Sequence, residues 1–135
     1  MFSINTKILI IDDMPSIRDL VRNQLKAMGF MEIYEAEDGE EGLNLIKVKY
    51  GEAQPIELVI SDWNMPKMKG LELLKIVRAD ERFSKLPFIL LTSEAEREQV
   101  TEAVLAGVSQ YIVKPFSGKV FEDKLKTAYS KHFKS

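Results

Sequence analysis

Short apolar runs alternate with longer amphipathic segments along the chain. In the first amphipathic segment the apolar residues recur at spacings of three and four, which is typical of one face of an α-helix. These residues are Ile17, Leu20, Val21, Leu25 and Met28. Pro15 precedes them, where a first helical turn tolerates proline, and Gly29 follows them as a natural stop. The pattern predicts a helix between Pro15 and Gly29.

Five runs rich in aliphatic and β-branched residues predict β-strands. They cover residues 7–11, 32–36, 57–61, 88–91 and 110–113. Each is followed by a segment of helical period, and the later ones have apolar positions at Leu43, Ile46 and Tyr50, at Leu71, Leu74 and Val77, at Val100, Ala103 and Val104, and at Phe121, Leu125 and Ala128. The chain therefore reads as a βα unit repeated five times.

The polarity of the strands predicts their order in the sheet. Strands one, three and four are unbroken apolar runs, as expected for strands covered by helices on both faces, whereas strands two and five contain polar positions and fit the edges. Right-handed crossovers then give a doubly wound parallel α/β sheet with the order 2-1-3-4-5. In such a sheet ligands bind beyond the carboxyl ends of the strands, between strands one and three.

Polar residues that suit a metal and a phosphoryl group follow the apolar runs directly. They are Asp12 and Asp13 after strand one, Asp62 after strand three, Thr92 after strand four and Lys114 after strand five. Three carboxylates at one edge repel each other strongly, and oxygen ligands of this kind fit six-coordinate Mg²⁺. With Mg²⁺ and the lysine the charge is balanced, so a phosphoryl group can bind, and Asp62, at the end of a central strand, is the best-held nucleophile.

Composition and charge restrict the class of protein further. The chain has 135 residues, which predicts one domain over residues 1–135, and its 19 Lys and Arg against 21 Asp and Glu give a net charge of −2. This balance gives no general attraction to nucleic acid. The absence of cysteine excludes disulfides and thiolate catalysis, and no apolar run is long enough to span a membrane. A cytoplasmic domain is the expectation.

Four segments resemble one family specifically. ILIIDD, LVISDWNMPKMKGLELLK, LPFILLTSEAE and GVSQYIVKPF are similar to the receiver domains of two-component response regulators, and in particular to their chemotaxis branch. The resemblance implies a flavodoxin-like fold without an output domain. It implies that Asp62 accepts a phosphoryl group from a histidine kinase, and that Asp13, Asp62 and the Asn64 carbonyl bind Mg²⁺ directly while Asp12 acts partly through water.

The same resemblance implies how the signal leaves the site. Thr92 and Lys114 would contact the phosphoryl oxygens, and Tyr111 would change rotamer as Thr92 moves. The implied partner face contains Arg97, Val100, Tyr111 and Lys124. The implied partners are a histidine kinase, the flagellar motor switch protein and a phosphatase, and the domain is expected to be a monomer and a phosphoacceptor switch rather than an enzyme.

Alternative functions remain open at this point. A stand-alone receiver can also act as a phosphorelay intermediate. An aspartate-nucleophile phosphatase uses similar groups, but its second Asp would stand where this chain has Asn64. A flavin-binding electron carrier needs a hydroxyl- and glycine-rich loop where this chain has Asp12 and Asp13. Two residues have simpler interpretations: His132 is expected to be structural or solvated, and Trp63 is expected to be partly exposed beside the metal.

Overall fold

A computed structural model describes residues 1–93 and 97–133, except the side chains of residues 97 and 98. Within them five strands alternate with five helices. The strands are β1 (Ile8–Ile11), β2 (Ile33–Ala36), β3 (Leu58–Asp62), β4 (Phe88–Ser93) and β5 (Gln110–Lys114), and the helices are α1 (Pro15–Ala27), α2 (Gly39–Gly51), α3 (Gly70–Ala79), α4 (Arg97–Leu105) and α5 (Gly118–Phe133). In the part of the chain so described, no helix combines the length and the hydrophobicity needed to cross a membrane.

The strands form one parallel sheet in the order β2-β1-β3-β4-β5, which confirms the predicted order. Every residue of β1 is buried, and Ile10 of β1 pairs with Ile60 of β3, one residue before the end of β1 and two before the end of β3. β2 and β5 are partly exposed, as their polar positions predicted. Because all five strands run the same way, their carboxyl ends lie along one edge.

Alternate residues of the strands divide the core into two layers. Leu9 and Val59 face α2, α3 and α4, where Leu73 is fully buried. Ile10 and Ile60 face α1 and α5 and join the second cluster. The helices therefore cover both faces of the sheet.

The structure corrects some of the predicted positions. Leu20 is 45% exposed and Val104 is 58% exposed, so the buried stripes of α1 and α4 are narrower than the spacing indicated. β4 continues through Thr92 to Ser93, because both residues pair with β5. Gly29 adopts a φ of +99°, which favours glycine, just after α1 ends.

Candidate functional site

Three carboxylates converge where β1 and β3 end. Asp12 directly follows β1, Asp62 is the last residue of β3, and the pairing of Ile11 with Ser61 aligns the two strand ends. One oxygen from each of Asp12, Asp13 and Asp62 lies within 4.8 Å of the other two. The parallel sheet therefore holds these negative charges at the place where the strand order reverses.

Asp12 is the most constrained of the three carboxylates. It is fully buried, and its Oδ1 accepts a hydrogen bond of 2.9 Å from the Met14 amide. Its Oδ2 is buried without a hydrogen-bond partner. Burial raises the pKa of Asp12 to about 6 against the lowering effect of the Met14 hydrogen bond, and the charge of Asp62 adds to the rise. A buried carboxylate oxygen without a donor is a suitable ligand for a hard divalent cation.

Lys114 provides the positive charge of the cluster. It ends β5, and its Nζ lies 2.9 Å from Asp62 Oδ1 and 4.0 Å from Asp12 Oδ2. One ammonium against the three carboxylates of Asp12, Asp13 and Asp62 leaves two negative charges uncompensated when all three are ionised. A divalent cation that prefers oxygen ligands would balance this charge.

Thr92 and Asn64 flank the carboxylates. Thr92 is buried in β4, and its hydroxyl donates a hydrogen bond of 3.3 Å to the Ser93 carbonyl. Asn64 is exposed in the loop that follows β3. In this arrangement the Thr92 hydroxyl is bonded to backbone next to the site, so it must turn to meet any new oxygen there.

The loop after Asp62 returns close to the strand it leaves. The Trp63 amide donates to the Leu91 carbonyl at 3.0 Å, and the Gly70 amide donates to the Trp63 carbonyl at 3.0 Å. The prediction that Trp63 is partly exposed was wrong, since its side chain packs in the core and is only 4% exposed. This side chain is turned inward because the backbone of residue 63 continues the pairing beside β4.

Two residues that shape the site were missed in the sequence. A Cβ on Gly70 would lie 2.2 Å from the Asp62 carbonyl oxygen, so only glycine allows α3 to begin this close to β3. Arg18 on α1 donates from Nη1 to the Asp12 carbonyl at 2.6 Å. The sequence signal for Gly70 is a glycine opening a helix shortly after a strand-end aspartate; for Arg18 we see none.

The predicted partner face is described in part. Tyr111 on β5 is half-buried, and Lys124 Nζ on α5 lies 4.9 Å from the centre of its ring and 3.3 Å from Gln110 Oε1. Val100 on α4 is also half-buried. The side chain of Arg97 lies outside the described residues. Tyr111 is therefore placed between the core and Lys124, on the strand next to the one that contains Thr92.

Comparison with known proteins identifies the family. The profile described as response regulator receiver domain matches residues 8–126. The chain belongs to this family. The match spans all five strands of the sheet and most of α5, and it includes every residue of the carboxylate cluster. The resemblance drawn from the strand-end motifs is thereby confirmed.

This receiver domain is similar to chemotaxis proteins in particular. It is 46% identical over 121 residues to chemotaxis protein CheY-3 of Vibrio cholerae serotype O1, covering 90% of this chain and 89% of that one. It is 40% identical over 125 residues to chemotaxis protein CheY of Pseudomonas aeruginosa, covering 93% of this chain and 97% of that one. These relatives place it among CheY-like response regulators.

Solved structures agree with the fold of this receiver domain. Chemotaxis response regulator CheY4 of Vibrio cholerae matches with a TM-score of 0.79 at 32% identity, covering 92% of this chain and 98% of that one. A putative response regulator from Chloroflexus aurantiacus matches with a TM-score of 0.83 at 26% identity, covering 93% and 98%. The predicted flavodoxin-like, CheY-like architecture is confirmed.

Proposed function

We propose that this receiver domain is a signalling switch whose Asp62 accepts a phosphoryl group from a phosphohistidine of a histidine kinase. The observation that supports this most is the 2.9 Å contact between Lys114 Nζ and Asp62 Oδ1 inside a cluster of three carboxylates. The lysine orients one Asp62 oxygen and leaves the other for reaction. Lys114 also provides a positive charge where the oxygens of the incoming group would lie.

The proposed transfer is a substitution at phosphorus. An Asp62 carboxylate oxygen forms a bond to phosphorus, the bond from phosphorus to the histidine nitrogen breaks, and its electron pair returns to that nitrogen, which binds a proton. The product is an acyl phosphate on Asp62 and a free imidazole on the kinase. Attack of water on the same phosphorus later breaks the acyl phosphate, releasing inorganic phosphate and restoring the Asp62 carboxylate.

We propose Mg²⁺ as the cofactor of this reaction. Asp13, Asp62 and the Asn64 carbonyl would hold the ion directly, and Asp12 would act partly through water. The buried Oδ2 of Asp12 supports this assignment, because it accepts no hydrogen bond and its nearest cation, Lys114 Nζ, lies 4.0 Å away, which leaves room for a closer positive partner. The ion supplies neutralisation of the charge on the phosphoryl oxygens.

The proposed output is a change in protein binding. After transfer, Lys114 Nζ and the Thr92 hydroxyl turn to the phosphoryl oxygens, and Tyr111 fills the space that Thr92 leaves. The face of Arg97, Val100, Tyr111 and Lys124 then binds the flagellar motor switch protein, as the similarity to chemotaxis proteins favours. We further propose that residues 1–135 act in the cytoplasm as one monomeric domain, and that a phosphatase ends the signal.

Labelling with a small phosphodonor tests the acceptor. Acetyl phosphate with Mg²⁺ should add one phosphoryl group to the wild-type protein, detected as a mass increase on the intact chain. Asp62→Asn should take up none, because the amide oxygen is a poor nucleophile. Asp13→Asn is the matched control: it should still be labelled on Asp62, but more slowly. Label on Asp12 or Asp13 in the Asp62→Asn protein at the wild-type rate would show that the acceptor is assigned wrongly.

A further inference from the structure

Arg18 connects the carboxylate cluster to the outer strand of the sheet. It lies on α1 with its side chain only 14% exposed. Its Nη1 donates to the Asp12 carbonyl at 2.6 Å, and its Nε donates to Glu35 Oε1 on β2 at 3.1 Å. Arg22, one turn further along α1, donates to the other oxygen of Glu35. The guanidinium of Arg18 is thus held by a carboxylate that is itself held by a second arginine.

The hydrogen bonds of Asp12 show what Arg18 does there. The Asp12 amide donates to the Ala36 carbonyl at 3.1 Å, and Asp12 Oδ1 accepts from the Met14 amide at 2.9 Å. The Asp12 carbonyl accepts from Arg18. Oδ2, which lies 4.0 Å from Lys114 Nζ, is the one polar atom of Asp12 without a hydrogen bond. Neighbouring groups therefore fix the residue on every side except that of the cluster.

We propose that Arg18 is a positioning residue of the metal site, and that Glu35 orients it. By holding the Asp12 carbonyl, Arg18 keeps the turn between β1 and α1 in the one conformation that directs Oδ2 to the cluster. This rests on the proposed function, since it assumes that the cluster binds Mg²⁺. Partners that orient the ligands of a metal site commonly change its affinity by 10- to 100-fold when removed.

Electrostatics alone predicts the opposite effect, so the two explanations can be separated. Arg18 is a positive charge bonded to a residue of the cluster. Removing that charge makes the site more negative, which by Coulomb's law strengthens the binding of a cation. A weaker Mg²⁺ affinity in a folded, neutral Arg18 variant therefore cannot be an effect of the lost charge.

Magnesium titration of the apoprotein tests the proposal without any phosphotransfer. Binding is followed by calorimetry and by the fluorescence of Trp63, the one tryptophan of the chain. Arg18→Met, which keeps length but removes the donors, should raise the Mg²⁺ Kd about tenfold. Arg18→Lys should recover part of this loss, because its ammonium can reach one acceptor but not both. Arg22→Met, the matched control, should stay within about twofold of wild type, since Arg18 keeps its bond to Asp12.

The unfolding midpoint of each variant in EDTA separates positioning from a general loss of packing. If Arg18→Met proves unstable, Glu35→Asp replaces it: the charge is kept, so Coulomb's law predicts no change, while the shorter side chain draws the carboxylate away from Arg18, and the Mg²⁺ Kd should rise between about two- and fivefold. A folded Arg18 or Glu35 variant that binds Mg²⁺ as tightly as wild type, or more tightly, overturns the positioning role. Wild-type protein without a saturable response, equal to Asp13→Ala, overturns the metal site and this role with it.

Discussion

The buried carboxylate of Asp12 lowers the stability of this receiver domain. The carboxylate is fully buried beside the negative charges of Asp13 and Asp62, and Oδ2 lacks a donor. At an effective dielectric near 20, two unit charges roughly 4 Å apart repel by about 4 kcal/mol, of which the ammonium of Lys114 offsets a part. The fold keeps a destabilising group where the proposed ion would bind.

Replacing this carboxylate by its amide should therefore stabilise the protein. We expect Asp12→Asn to raise the free energy of unfolding by roughly 1–3 kcal/mol in EDTA at neutral pH, because the charge is lost while the shape is kept. Urea denaturation gives the value. Asp13→Asn is the matched control and should gain less, since Asp13 is exposed. An Asp12→Asn protein no more stable than wild type would mean that the buried charge is compensated within the apoprotein.

Some residues of the site were predictable from the sequence, and others were not. The strand-end positions of Asp12, Asp62 and Lys114 were predictable, because an apolar run ends at a definite residue and parallel strands end at one edge. The burial of Trp63 and the need for glycine at position 70 were not. Both depend on how closely the backbone of the loop after β3 returns to the sheet, and a local pattern of polarity does not encode that distance.

At the scale of elements, the polarity of the strands predicted the sheet order, since the unbroken apolar runs fit central strands covered by helices on both faces and the polar positions of the other two fit edges. Exact lengths were less predictable. β4 extends to Ser93 because Thr92 and Ser93 pair with β5, although their polarity indicated a strand end. The end of a buried strand is hard to recognise in the sequence, because its last residues face the site and are therefore polar.

The opposite edge of the sheet contains a second buried polar group. Ser109 Oγ accepts a hydrogen bond of 2.9 Å from the Phe88 amide and lies 3.5 Å from Arg78 Nη2 and 2.6 Å from His132 Nε2. The lone pairs of the hydroxyl accept from the Phe88 amide and from Arg78, so its proton is donated to His132 Nε2. The Nε2 atom must therefore carry no proton. His132 is thus structural, and it fastens the end of α5 to the start of β5.

This contact should make stability depend on pH. Burial lowers the pKa of His132 below its ordinary 6.5, and the positive charges of Arg78 on α3 and Lys131 on α5 lower it further. The unfolded chain then binds the proton more readily, so the contribution is complete above about pH 6.5 and is lost as pH falls through the lowered pKa. Between about pH 8 and pH 5 we expect wild type to lose up to about 1 kcal/mol more than His132→Gln in urea denaturation.

His132→Gln is the reference protein in that comparison, because glutamine keeps an acceptor for Ser109 and does not titrate. All other groups contribute equally to both proteins. Parallel stability curves for the two proteins across this range would show that folding does not lower the pKa of His132, which would contradict this prediction.

At the scale of the whole molecule, the proposed phosphoryl group at Asp62 must change the proposed partner face, to which α4, β5 and α5 contribute. A two-state switch needs contacts that differ between its states. In the structure Lys114 is paired with Asp62, and the Thr92 hydroxyl is bonded to the Ser93 carbonyl. Thr92 and Lys114 lie on the paired strands β4 and β5, where Thr92 pairs with Val113 and Leu90 pairs with Tyr111, so the proposed signal would pass along these strands.

Substituting these two residues should separate phosphorylation from signalling. We expect Lys114→Ala and Thr92→Ala to retain measurable labelling at Asp62 while losing most of the phosphorylation-dependent gain in affinity for the purified motor switch protein. Couplings between sites of about 1–3 kcal/mol correspond to roughly 5- to 150-fold in affinity, so the gain is measurable by calorimetry at equal phosphorylated fractions. Lys119→Ala, an exposed lysine at the start of α5, is the matched control and should keep the full gain. If both site variants bind like phosphorylated wild type, the signal does not pass through Thr92 and Lys114, and if wild type shows no gain, the motor switch is not its partner.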